Sequence, residues 1–279
     1  MSDETQPEIA TVVRAAARTD WARYLARLGF YTKGVLFFVI GSLALSLIFG
    51  IDGGRLADAR GALAAIELES YGRILLVIFV IGAFAHGAWN IFRGAADADG
   101  CGKKWWGITV RSVAVLVGLF YIGLAISAVE IIWSSRAVAD SSEAEETLIT
   151  LLRAVPGGSL FVVLIGIGIV IAGIHECYSG LAGKFRDNYR NWQIKGINRP
   201  IVAILGIVSF SARALLLSII GYFFIRAPFV DGRTHIGLDA ALLTLLGTPY
   251  GRAIVLFTAS GLVAHGILAF YEAKYRRIS

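Results

Sequence analysis

Charge is scarce in this chain: only 16% of its 279 residues are Asp, Glu, Lys or Arg, while 57% are hydrophobic and the mean hydropathy is +0.70. That balance excludes a soluble globule of ordinary makeup. Cysteine is scarcer still. Cys101 and Cys177 are the only two, so no disulfide framework is implied. Catalytic signatures are missing as well: there is no His-Glu-x-x-His helix, no paired Cys-x-x-Cys and no aspartate-rich calcium loop. Gly180-Leu181-Ala182-Gly183-Lys184 lacks the spacing and the Ser/Thr of a phosphate loop, and Gly157-Gly158-Ser159 lacks the residues of a nucleophile elbow. Hydrolysis and nucleotide use find no support, and the chain is expected not to be an enzyme.

What the chain has instead is long apolar runs. Crossing a bilayer takes roughly 20 apolar residues, and runs of that kind lie at 28–49, 74–92, 108–133, 159–181, 201–225 and 253–271. They predict six transmembrane helices. The N-terminus opens on Ser2-Asp3-Glu4 and passes Arg14, Arg18, Arg23 and Arg27 before the first run. It lacks the short basic start of a cleaved signal peptide, so the first span is expected to stay as an anchor. Between Val12 and Leu28 apolar residues alternate with arginines, a pattern that predicts a helix lying in the headgroup region. Trp21, Trp105, Trp106, Trp133 and Trp192 fall near span ends, where indole rings sit most favourably.

Lys and Arg divide unevenly between the two ends of the spans. One side, including Arg93, Lys103, Lys104 and the stretch 184–199, carries 15 of them; the other carries 8, diluted by acids such as Asp52, Glu67 and Glu143. The positive-inside rule then puts both termini in the cytoplasm. The basic pI of about 9.4 is a topology signal, and no nucleic-acid recognition module accompanies it.

The chain also repeats itself. An offset of 179 relates Tyr71-Gly72-Arg73 to Tyr250-Gly251-Arg252, Gly82 to Gly261, and His86-Gly87 to His265-Gly266. Lys33-Gly34 and Gly41 match Arg213-Ala214 and Gly221 at an offset of 180, so the loop between has lost one residue. A more diverged middle unit fits too: Gly118-Leu119-Phe120-Tyr121 aligns with Gly34-Val35-Leu36-Phe37, and Gly158, Gly168, Gly173 and Tyr178 with Gly72, Gly82, Gly87 and Phe92. The predicted fold is an all-α, polytopic membrane protein: six transmembrane helices as three tandem helical hairpins. Its parts are an N-terminal cytoplasmic or interfacial segment 1–27, repeat 1 at 28–93, repeat 2 at 105–182, a basic cytoplasmic linker 183–199, and repeat 3 at 200–277. In each outer loop, apolar residues three and four apart (Leu56, Ala59, Leu63, Ile66; Leu148, Leu151, Leu152, Val155; Leu238, Leu242, Leu245) predict a short interfacial helix.

The closing run Gly261-Leu262-Val263-Ala264-His265-Gly266 with Tyr271, Glu272 and Lys274, the entry Leu28-Gly29-Phe30-Tyr31-Thr32-Lys33-Gly34, and Gly118-Leu119-Phe120-Tyr121 resemble the bacterial membrane proteins of domain of unknown function 1206. The resemblance extends over 25–277. It implies three copies of a two-helix membrane unit and brings no established activity. One departure is Ala172, where the other two units carry histidine, so a function needing three equivalent imidazoles is not expected.

Ionisable groups inside a bilayer are costly and face protein, water or each other. Arg213, deep in its run, is the clearest case, with Glu272 and Glu176 as candidate partners. Its repeat counterpart Lys33 lies nearer a span end, from which it could snorkel to the headgroups. His86 and His265 each stand four residues after a glycine, on the same helix face, where glycine lets a neighbouring helix approach. Each imidazole is expected to pack in that contact and to bond a carbonyl or hydroxyl across it; a sharper alternative makes the pair the axial ligands of a haem. His175-Glu176-Cys177 cannot converge on one metal, because adjacent side chains on a helix point about 100° apart.

These residues support a structural or accessory scaffold that organises lipid or a partner membrane protein. The alternative is a small-solute or proton transporter using Arg213 with His86 and His265; a haem-dependent electron carrier is a third reading. All three units begin and return on the same side, so the repeats are parallel, whereas many secondary transporters use inverted ones. Membrane lipids, a partner membrane protein or a second copy of the chain are the expected partners. No cofactor or nucleic acid is expected.

Overall fold

The structure is a computed structural model that describes residues 20–51, 54, 56–97, 100–102, 104–134, 157–188, 198–230 and 238–275. Eight α-helices are seen among the described residues: α1 Asp20–Ile48, α2 Ala59–Glu67, α3 Gly72–Ala95, α4 Trp105–Ser134, α5 Gly158–Leu181, α6 Asn198–Arg226, α7 Leu238–Leu246 and α8 Gly251–Tyr275. Six of these, all but α2 and α7, are long and apolar enough to cross a membrane. The shortest has 24 residues, about 36 Å at 1.5 Å per residue, against a hydrocarbon core of about 30 Å. The chain is an all-α, multi-pass membrane protein, as its apolar runs predict.

The helices overrun the apolar runs at their ends. Residues 20–27, part of the stretch whose pattern predicts a headgroup helix, form the opening turns of α1 without a break. The arginines and alanines there are good helix formers, so leaving the apolar zone does not end the hydrogen-bond ladder. The expected interfacial stretch 12–19 lies outside the described residues. Of the short outer helices, α2 and α7 are present, while that expected over 148–155 lies outside the described residues. In the basic linker, Lys184–Asn188 is a 3-10 turn, residues 189–197 are not described, and Arg199 already belongs to α6.

The described chain divides into two compact units, one drawn from 1–33, 66–135 and 269–279, the other from 34–65 and 136–268. Small residues set the helix contacts inside each. In the first, a Cβ on Gly87 would come within 2.7 Å of Gly118 O. In the second, a Cβ on Gly266 would come within 2.7 Å of Gly34 O, and one on Gly173 within 3.0 Å of Ala214 O. These contacts are equivalent by the repeat offsets: each joins the second helix of a repeat to the first helix of another. Without a hydrophobic difference between lipid tails and side chains, close backbone packing of this kind is what holds membrane helices together.

The Tyr-Gly-Arg motif has a matching explanation. A side chain on Gly72 would collide with the carbonyl of Ile66, and one on Gly251 with the carbonyl of Leu245. In both repeats the glycine lets the last turn of the short outer helix lie directly against the start of the next spanning helix. The arginine that follows differs in use: Arg252 donates from Nη2 to Ile48 O at the C-terminus of α1, 2.7 Å, whereas Arg73 reaches Glu67, 3.9 Å.

Candidate functional site

The six candidate polar side chains of the spans divide into two sets, one in each unit. In the second unit α6 supplies Ser209 and Arg213, four residues apart and so on one helix face. Arg213 Nη2 lies 3.2 Å from Glu176 Oε1 on α5, and its Nη1 lies 3.3 Å from His265 Nε2 on α8. His265 Nδ1 is 2.7 Å from Ser209 Oγ, and Phe37 meets the ring edge-on at 4.7 Å. His265 is fully buried. Because arginine has only donors, the contact with Nη1 makes Nε2 the acceptor and places the ring proton on Nδ1, facing Ser209. Both ring nitrogens are then engaged, so His265 has no lone pair left for a haem iron.

In the first unit Lys33 of α1 lies 3.7 Å from Glu272 Oε2 on α8, with side chains 18% and 10% exposed. Lys33 is therefore held in an ion pair, where its position near a span end suggested a reach for the headgroups. His86 is buried and packed edge-on against Tyr121 at 4.6 Å and Phe30 at 5.8 Å. Asn90, one turn on, donates to the His86 carbonyl at 2.8 Å.

The two sets correspond. Lys33 and Arg213 share a repeat position, as do His86 and His265, Tyr121 and Phe37, and Gly29 and Ser209. The last pair differs in space: a Cβ on Gly29 would stand 2.5 Å from His86 Nδ1, so that imidazole sits against backbone where His265 has a hydroxyl. The carboxylates are three residues out of register, close to one helical turn. By the same offsets the middle repeat carries Val117 at the cation position and Ala172 at the histidine position, while Asn90 and Arg93 stand where the facing helix would supply the acid. Cation, histidine and carboxylate are present together twice, and all three are missing at the third place.

His175, Glu176 and Cys177 separate as helix geometry requires: Glu176 meets Arg213, His175 is exposed and Cys177 is half-buried. Among the described residues no group of three or more His, Cys, Asp or Glu side chains is placed to hold a metal ion. Sequence reasoning passed over Ser209, whose signal was its place one turn before Arg213. It also passed over Arg111, which lies inside the apolar run 108–133. Arg111 donates from Nε to Gly94 O and from Nη2 to Ala95 O, both at 2.8 Å, and so caps the end of α3.

Comparison with known proteins agrees with the repeat pattern. The profile of the family described as Domain of Unknown Function (DUF1206) matches residues 28–97 and again 208–276, which are the first and third repeats. The chain is 27% identical over 263 residues to "Uncharacterized protein YxxB" of Bacillus subtilis (strain 168), covering 93% of each. No solved structure matches it. The family's profile thus matches twice, over the two repeats that hold both paired cations and both histidines.

Proposed function

We propose that the protein is a structural or accessory scaffold of a bacterial inner membrane, with both termini cytoplasmic, that organises lipid or a partner membrane protein and is not an enzyme. The observation that carries this reading is the joint presence and joint loss of cation, acid and histidine across the repeats. Lys33 and Arg213 each face a carboxylate from another spanning helix, 3.7 Å away for Lys33 and 3.2 Å for Arg213. Pairs of this kind fix which helices are neighbours, a use for which buried polar groups are best attested. Many large side chains on the spans face outward, among them Ile74, Ile78, Phe84, Leu164 and Ile171, which suits a surface covered by lipid or by another membrane protein.

Transport is the second reading, favoured by one feature: Ser209, His265, Arg213 and Glu176 form an unbroken chain of polar contacts. Proton or solute flux in liposomes separates the two. The scaffold reading expects no flux above empty vesicles from wild type, together with a lipid or protein that co-purifies from native membranes. A flux abolished by Arg213→Gln in a protein that keeps its helicity would overturn it.

A further inference from the structure

Where α3 ends and α4 begins, the first unit has a cleft of about 440 Å³ lined by Gly94, Ile108, Arg111, Ser112, Val115 and Leu116. This is within the ~300–1,000 Å³ range of small-molecule sites. Gly94 brings the two helices together, since a Cβ there would stand 2.5 Å from Arg111 O and 2.8 Å from Val115 Cγ2. Alongside that close approach the wall is apolar, and Ile108 and Leu116 are more than half exposed. At the polar end stand Arg111 and the Ser112 hydroxyl.

Capping α3 uses two of the five N–H donors of the Arg111 guanidinium. The two carbonyls hold the group in one orientation, so ordering it on a ligand has a low entropic cost. The surrounding chain is basic: Arg93 closes α3, Lys104 is exposed just ahead of α4, and the one described acid of the connecting loop, Asp97, accepts from Cys101 N and Gly102 N at 2.8 and 3.0 Å. Trp105 is exposed one turn before Ile108 and marks the level of the membrane–water interface. A fixed cation at the interface end of an apolar wall has the form of one ligand class, an anion joined to a hydrocarbon chain.

We propose that this cleft holds an anionic phospholipid, its phosphate on Arg111 and Ser112 and one acyl chain along Ile108, Val115 and Leu116. This gives a site to the lipid half of the scaffold reading and rests on it, since that reading would otherwise be met by a protein partner alone.

The test is native mass spectrometry of the full-length protein released from nanodiscs of equal phosphatidylglycerol and phosphatidylcholine. Wild type, Arg111→Gln, Ser112→Trp and, as a surface-charge control, Arg186→Gln are compared. Wild type and Arg186→Gln should retain phosphatidylglycerol over phosphatidylcholine by about fivefold, the factor for one basic group near a membrane surface, and Arg111→Gln should retain both alike. Ser112→Trp fills the cleft with the guanidinium left in place and should lose the retained lipid; it decides the matter if Arg111→Gln does not fold. Equal loss in Arg111→Gln and Arg186→Gln, or full retention by Ser112→Trp, overturns the proposal. A wild type with no lipid preference that still brings a stoichiometric protein partner from native membranes would end this proposal and leave the scaffold reading standing.

Discussion

Arg213 touches His265 and Glu176 with different nitrogens of one guanidinium, at 3.3 and 3.2 Å. Three spanning helices, α5, α6 and α8, are therefore tied to a single side chain. Removing the cation leaves a carboxylate in apolar surroundings, whereas removing both charges leaves neither. Arg213→Met should destabilise the protein by about 1–3 kcal/mol, and Arg213→Met with Glu176→Gln should recover at least half of that. Denaturation in detergent, followed by circular dichroism, measures both; a double variant no better than the single would show that the pair is not the relevant partner.

Serine and glycine at equivalent places should not be interchangeable. Ser209→Ala leaves the Nδ1 proton of buried His265 without its acceptor, at a cost of about 1–2 kcal/mol. Gly29→Ser, which copies the other repeat, should be worse, because the new Cβ would meet His86 at 2.5 Å and the ring would have to move. The same unfolding assay ranks them.

Close backbone approach makes a second class of sensitive position. Gly266→Val should cost more than about 2 kcal/mol, since its Cβ would stand 2.7 Å from a carbonyl rather than from a movable side chain. Gly247→Ala, whose Cβ would find its nearest neighbour at 3.4 Å, should be near neutral. Expression level and melting temperature of the two variants provide the comparison.

Orientation is open to direct measurement with the native thiols. With Cys177 replaced by Ala, a membrane-impermeant maleimide should label half-buried Cys101 in inverted vesicles and not in intact cells. The opposite pattern would place the basic loops outside and reverse the proposed topology.

How much of this was legible in the sequence depended on whether the signal was local. Apolar runs report their own length, so the six spans were readable. Their ends were not, because the change from lipid to water at residues 20–27 alters composition without interrupting the helix. The histidine positions were visible through Gly82 and Gly261, whose close contacts with Thr32 and Ala212 follow from small-residue spacing. The choice between Glu176 and Glu272 for Arg213 was not visible. Both lie near span ends, and which helix lies beside which is a long-range property that no window of sequence contains. Arg111 was hidden by its setting, since one cation in a mostly apolar run of 26 residues hardly alters the average, and its carbonyl partners come from the preceding helix.

The two ion pairs also differ in time. Arg213 enters the membrane after Glu176, whose hairpin has already been made, so its partner is waiting. Of the six spans described, Lys33 lies in the one made earliest and Glu272 in the one made latest. While the four spans between them are made, the lysine has to remain near the headgroups or water, and α1 can settle to its final depth only when α8 arrives. Chains stalled before Glu272 should therefore leave α1 shallower in the bilayer than it lies in the finished protein.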